Sequence, residues 1–381
     1  MNNNLLNKIS YNIKYIDSID DFFTKVKFKK VVPYQLELQP GRIKGDKICW
    51  LTCSYCYGGS SKNTSEKLSH ERYLDLLEQT ANGPNGGINK VIFAGYATDP
   101  LNYEHIDGLV EKSLDLNQII GVHSKLIKIS NKMLNMLTSR KNKDDYITVS
   151  LDAGDSLTYN KAHNLNPKVK IFDKVLNNID ELVKLKKQKK SLIDISVNYL
   201  ITNENSNLET IESCISKLTK IGVDSIRFTF PQSPRGQDHK ENPFAPLSKN
   251  KDLIISTVSK KIENPKNDHN TTRLTIFDYD KQININEPRT LPCFARFVFP
   301  AISYDGYLSN CSQSGAVHFR NMSLGNLSKT NFWDAYYDYD VDNFETYMNN
   351  QFTKMKKNDC RCDRKQHTFN KQFLNFNLKN I

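Results

Sequence analysis

The sequence predicts an α/β protein built from parallel βαβ units. Two patterns carry this reading. Short apolar segments rich in β-branched residues alternate with segments of helical period, giving six strand-then-helix steps between residues 31 and 262. Strands separated by helices pair in parallel, and six units are too few for a closed eightfold barrel. A third observation sets the chemistry: seven of the eight cysteines fall in two groups, at residues 49–56 and 293–362.

Residues 31–38 alternate like a strand and run into the first cysteine group. Residues 68–80 have helical spacing, with Ser65 or Ser69 available as a cap. KVIFA (90–94) is a short apolar strand, followed by a helix over 102–116 and a strand over 119–122. A helix over 130–139 leads to the strand YITVSL (146–151), a helix over 172–185 and a strand over 192–201. The series ends with a helix over 208–221, the strand SIRFTF (225–230) and a helix over 252–262. Residues 231–248 break the pattern with Pro, Gln, Ser, Asn and charge, and read as a long loop that could cover a substrate.

Cys49, Cys53 and Cys56 stand in the run CWLTCSYC. The spacing is too tight for a disulfide framework and lacks the paired ends of a zinc ribbon. It suits a loop around one face of an iron–sulfur cube, leaving one iron without a protein ligand. A structural zinc knuckle is the competing reading. The run resembles the signature of the radical S-adenosylmethionine (radical SAM) superfamily, C-x3-C-x-aromatic-C, with Tyr55 in the aromatic slot. The resemblance implies a partial (β/α)6 TIM-type barrel open on one side. It also implies a [4Fe-4S] cluster whose open iron chelates S-adenosyl-L-methionine, and reductive cleavage to a 5′-deoxyadenosyl radical that abstracts a substrate hydrogen.

In such a barrel active residues lie at the C-terminal strand ends. Gly95-Tyr96-Ala97-Thr98-Asp99-Pro100 is similar to the family's Gly-Gly-Glu-Pro segment, whose backbone and acidic side chain hold the cofactor's amino group; Tyr96 and Ala97 depart from the glycine pair. Ser150 and Asp152, two apart and so on one side of a strand, match the positions that reach the cofactor ribose. Asp152 as a turn cap is the plainer reading. Lys125 is a candidate partner for the cofactor carboxylate, or a solvated lysine. Asn198 is polar inside an apolar run, and Arg227 is a carboxylate-clamp candidate or a structural ion-pair member.

Cys293-x12-Gly306-x4-Cys311 contains a hairpin pattern with Asp305-Gly306 at its turn, and Cys360-x-Cys362 follows. This resembles the SPASM/twitch extension of radical SAM enzymes, and implies a second, auxiliary [4Fe-4S] cluster on Cys293, Cys311, Cys360 and Cys362. Only four cysteines favour the single-cluster twitch type; a zinc site is the alternative. Cys214 lies on the apolar face of a predicted helix and reads as a buried small hydrophobe. The expected organisation is an N-terminal extension (1–30), a radical SAM barrel (31–270) and an auxiliary-cluster domain (271–381).

Hydrophobic content of 38% supports a core, and no apolar run reaches membrane-spanning length. The N-terminus lacks the apolar core of a secretory signal, so a cytoplasmic, reducing setting is expected, without a membrane partner. The net charge of +11 fits an anionic partner, although much of it sits in solvated lysine runs such as KLKKQKK (184–190). The resemblance implies an enzyme of oxidoreductase or peptide-maturase type, acting on a peptide or small molecule. It also implies an external electron donor such as flavodoxin or ferredoxin. Only about thirty residues precede the first strand, so a peptide substrate is expected to need a separate leader-peptide-binding protein. RNA or nucleotide modification, and a non-enzymatic zinc-stabilised scaffold, are the alternatives.

Overall fold

A computed structural model of the chain describes residues 15–16, 18–43, 49, 51–53, 55–56, 66–95, 98–231, 251–263, 272–277 and 292–373. Tyr96, Ala97 and the loop beyond Pro231 lie outside the described residues.

The six expected strands are present: β1 (Leu36–Leu38), β2 (Lys90–Phe93), β3 (Ile119–Ser124), β4 (Tyr146–Ser150), β5 (Asp194–Leu200) and β6 (Ser225–Thr229). They pair in parallel in sequence order and form the staves of a partial barrel. β1 is shorter than expected because Pro33, with no N–H, cannot join the ladder. β7 (Arg273–Phe277), which the sequence reading passed over, adds in parallel to β6. At the opposite end, β8 (Ala301–Ile302) pairs in parallel with β1. It then turns into β9 (Tyr307–Ser309), which pairs antiparallel with β10 (Gly325–Asn326). Gly306 makes the β8–β9 turn with φ +85, the left-handed conformation that favours glycine. The ten-stranded sheet therefore runs from β10 to β7 and continues past residue 270.

The helices begin where polar caps allow. α1 (Ile19–Lys27) starts at Ser18, whose Oγ accepts from Asp21 N. α2 (His70–Ala81) starts at Ser69, whose Oγ accepts from Arg72 N. α3 (Ile106–Asp115) begins later than expected because Asp99 first caps a 3-10 turn at Pro100–Asn102. α4 (Asn131–Thr138) follows β3. After β4 comes α5 (Ser156–Ala162), a seven-residue helix capped by Asp155 and too short to show a period in the sequence, then α6 (Ile171–Gln188). α7 (Leu208–Ile221) and α8 (Lys251–Glu263) match expectation within a residue. The C-terminal region adds α9 (Phe332–Tyr336), α10 (Phe344–Lys357) and α11 (Arg364–Lys371).

The two ends of the chain are stitched together. Phe22 and Phe23 of α1 pack edge-on against Phe294, and both rings meet Phe373. Tyr339 Oη donates to the Val26 carbonyl at 2.8 Å. Nearby, Arg296 is 1% exposed and has its guanidinium over the rings of Phe297, Tyr339 and Tyr347. It donates to the Tyr336 carbonyl at 2.6 Å, so aromatic faces rather than a carboxylate balance its charge.

Candidate active site

The cysteine loop leaves the C-terminal end of β1. Cys49, Cys53 and Cys56 are each half-buried, and Cys56 N donates to the Cys53 carbonyl at 3.1 Å. Burial pushes the Cys49 thiol up to about 12, and Asp99, Cys53 and Cys56 push it the same way. Burial also raises Cys53. Two desolvated thiols with Cys56 in electrostatic reach of both ionise most readily around a positive group, which is the donor chemistry an iron–sulfur cluster meets. Among the described residues no three His, Cys, Asp or Glu side chains converge tightly enough to hold a single metal ion.

After β2 the chain folds back on itself. A Cβ on Gly95 would lie 2.2 Å from Thr98 Oγ1, so only glycine fits there. Thr98 Oγ1 is buried and has no hydrogen-bond partner among the described residues. Asp99, 6% exposed, is fully engaged: Oδ1 accepts from Leu101 N and from Ser124 Oγ, and Oδ2 from Lys125 N at 2.9 Å. Burial raises its carboxyl, although these donors act against that. Asp99 thereby ties the exit of β2 to that of β3.

Lys125, Asp152 and Tyr55 meet at one junction. Asp152 follows β4 in a left-handed conformation, φ +57, and is 1% exposed. Its Oδ2 accepts from Tyr55 Oη at 2.6 Å and pairs with Lys125 Nζ at 2.5 Å, while Oδ1 accepts from Leu200 N at 2.7 Å. Lys125 Nζ also donates to Tyr55 Oη. Burial alone would raise the Asp152 carboxyl; Lys125, His163 and the Leu200 N–H more than offset it and hold it low. Asp152 is thus no simple turn cap, and Lys125 is not solvated. His163, at the end of α5 and 0% exposed, brings Nδ1 to 3.2 Å from both Tyr55 Oη and Cys53 Sγ. The sequence reading missed His163, since a lone histidine one hundred and ten residues from Cys53 carries no local signal.

Register aligns three of the sequence candidates. Ser150 pairs with Asn198, Asn198 with Arg227, and Arg227 with Thr275. All four are half-buried, whereas Val149, Val197, Ile226 and Phe228 between them are fully buried on the other face. Arg227 Nε donates to Asn198 Oδ1 at 3.1 Å. Thr275 belongs to this polar row and was missed with its strand.

Deeper in the lumen, His123 Nε2 lies 3.0 Å from Tyr146 Oη, and Tyr146 has room because Gly121 has no side chain. Burial, then Arg227, Lys365 and Lys90, push His123 down to about 3, so it is neutral. That residues from β2, β3, β6 and α11 act on one group shows that these side chains share one interior. Burial pushes Glu37, on β1, up to about 7 against Gln39 and Lys365. A carboxyl raised in the folded state contributes stability fully below its unfolded value of 4.5 and loses it as pH rises toward 7. Glu37→Gln is therefore expected to gain stability over the parent between pH 4.5 and 7 and hold that gain above it. Denaturant midpoints at pH 4, 6 and 8 check this; a constant difference across the three would refute it.

The second cysteine group is gathered by the hairpin and α11. Cys293, Cys311 and Cys360 are buried and Cys362 is half-buried. Burial raises Cys311 well above the ordinary thiol value, with Cys293, Cys360 and Cys362 adding to it, so all four lie within electrostatic reach. Asn370 braces the group: Nδ2 donates to Cys362 Sγ at 3.5 Å and Oδ1 accepts from Phe294 N at 2.9 Å.

Fold and site together define a partial α/β barrel with a three-cysteine loop at the mouth and polar side chains lining the lumen. Residues 47–228 match the family model described as the Radical SAM superfamily. Streptococcus suis SuiB bound to S-adenosylmethionine is similar with a TM-score of 0.56 at 14% identity, covering 84% of this chain and 70% of that one. SuiB bound to precursor peptide SuiA gives 0.57 at 15% identity, over 84% and 69%. Native anSMEcpe with bound AdoMet gives 0.52 at 15% identity, over 86% and 89%. At these identities the likeness is one of fold. No curated protein sequence matches the chain. Among the described residues no helix is long and apolar enough to cross a membrane.

Proposed function

We propose that the chain is a radical SAM enzyme that modifies a peptide or small molecule by hydrogen abstraction, as a maturase or dehydrogenase. The observation that supports it most is the three-cysteine loop at the exit of β1, inside the stretch matched to the superfamily. Cys49, Cys53 and Cys56 would hold a [4Fe-4S] cluster; the raised thiols of Cys49 and Cys53, each pushed up in part by Cys56, suit that donor role. When bound, the cluster and S-adenosyl-L-methionine supply one-electron reduction and a hydrogen-abstracting radical. The chain's own part is placement. Gly95, Thr98 and Asp99 shape the amino-group side, with Thr98 Oγ1 unpaired among the described residues; Tyr96 and Ala97 belong to the same proposed segment. Ser150, Asn198 and Arg227 offer hydroxyl, amide and guanidinium donors in one row for the cofactor's hydroxyls and carboxylate. Asp152 is proposed at the ribose side while fixing Tyr55 from behind.

A peptide substrate is supported by the likeness to SuiB, which is bound to precursor peptide SuiA in one of its structures. An external electron donor and, for a peptide substrate, a separate leader-binding protein complete the proposal. Anaerobic reconstitution followed by S-adenosylmethionine and dithionite tests it. The expected product is 5′-deoxyadenosine; a colourless zinc protein without acid-labile sulfide would refute it.

Cys293, Cys311, Cys360 and Cys362 are proposed to bind an auxiliary cluster. With four thiolates its irons are closed, which fits electron relay or structural support better than substrate chelation. Cys311→Ala is expected to lower iron per chain while leaving 5′-deoxyadenosine formation measurable; unchanged iron would count against an auxiliary site.

A further inference from the structure

The interior on the barrel side of the cysteine loop is organised around one nitrogen. His163 Nδ1 faces two groups, Tyr55 Oη and Cys53 Sγ, each at 3.2 Å. What those two groups can offer decides which way the proton lies. Tyr55 has a single hydroxyl hydrogen, and Asp152 Oδ2, an ionised acceptor at 2.6 Å, takes it. Lys125 Nζ donates to the same phenolic oxygen. The oxygen thus has only a lone pair left for Nδ1. Cys53, as a thiolate ligand, also has only lone pairs to give. Two acceptors face Nδ1, so Nδ1 carries the hydrogen. Nε2 is then the ring nitrogen that carries no hydrogen. The ring cannot swing away, because Tyr159 packs edge-on against it with centroids 4.2 Å apart.

We propose that His163 is a positioning residue that donates a hydrogen bond from Nδ1 to the sulfur of Cys53 and so sets the potential at which the iron–sulfur group on this loop accepts an electron. The Lys125–Asp152–Tyr55 junction is the device that fixes the donor tautomer. The inference rests on the reading of Cys53 as a cluster ligand. Its physical basis is general: a hydrogen bond to a ligand sulfur withdraws charge from it and favours the reduced, more negative state. No proton is transferred and no group is consumed.

The test uses the reconstituted full chain. In His163→Leu the cluster's midpoint potential is expected to move to more negative values. At a fixed dithionite potential the ratio of reduced to oxidised cluster falls about tenfold, the size of one charge-assisted hydrogen bond. His163→Asn, whose amide nitrogen can occupy the place of Nδ1, is expected to recover most of the loss. Should His163→Leu fail to fold, the parent decides alone. With 15N-labelled histidine, the reduced cluster is expected to show a nitrogen hyperfine coupling, and its absence overturns the inference. A folded His163→Leu protein with full iron and an unshifted potential also overturns it, while leaving the radical SAM reading intact. A parent that holds no acid-labile sulfide removes both.

Discussion

Cys53→Ala is expected to abolish 5′-deoxyadenosine formation, on the proposal that Cys53 is a cluster ligand. The expected loss exceeds about a hundredfold, because disturbing a ligand's outer partners alone costs about 10- to 100-fold and this change removes the ligand itself. Cys53 also anchors the loop internally, since its carbonyl accepts from Cys56 N and its sulfur faces His163. Cys214→Ala is the control. Cys214 is 1% exposed within α7 and belongs to neither cysteine group, so its loss costs some packing and no cofactor chemistry. Product formation and iron content, measured anaerobically on both variants, decide the matter. A Cys53→Ala protein that still makes product at the parent rate would remove the ligand assignment.

Asp152→Ala is expected to destabilise the fold by about 3–5 kcal/mol, the usual cost of stripping one member from a buried ion pair. Lys125 would keep its charge inside the barrel without its paired carboxylate, and Leu200 N and Tyr55 Oη would each lose an acceptor. Alanine would also have to hold φ near +57, which only glycine and, less readily, asparagine or aspartate accept. Replacing both partners, as Lys125→Met with Asp152→Asn, is expected to recover part of the loss because the orphaned charge is gone. The pH dependence has a definite sign. The Asp152 carboxyl is held below its ordinary 3.8, so its contribution is complete above that value and is lost as pH falls through the lowered folded value. Denaturant titrations at pH 7 and pH 3 follow it. If parent and variant differed equally at both, the buried pair would not be the source.

The barrel was legible because its strands and helices differ in period. KVIF, YITVS and SIRFT are short and β-branched, while 208–221 places Ile211, Cys214, Ile215 and Leu218 on one buried face. Where sequence reading failed, local signal was weak or was overridden. Arg273–Phe277 is a strand because β6 offers an unpaired edge, and a five-residue segment does not announce that. Ala301–Ile302 is too short to read at all, yet it closes against β1. At the site, cysteine spacing picked out both cysteine groups. The Lys125–Asp152–Tyr55–His163 assembly was hidden because its four members come from four separate strand exits and helices. Only the fold brings residue 163 to residue 53, and no pattern along the chain encodes that approach.

The stitching of α1 to the C-terminal aromatics bears on how the polypeptide matures during synthesis. Phe22 and Phe23 leave the ribosome about 270 residues before Phe294, the first of the rings against which they pack, and Phe297, Phe369 and Phe373 follow later still. Through most of that interval two greasy rings stay uncovered, a burden a nascent chain meets with slow completion or with help from a chaperone. The staves from β1 to β6, by contrast, each find their next neighbour with only one or two helical elements made in between. Vectorial assembly can therefore order the strands around the first cysteine loop before the second cysteine group has been made.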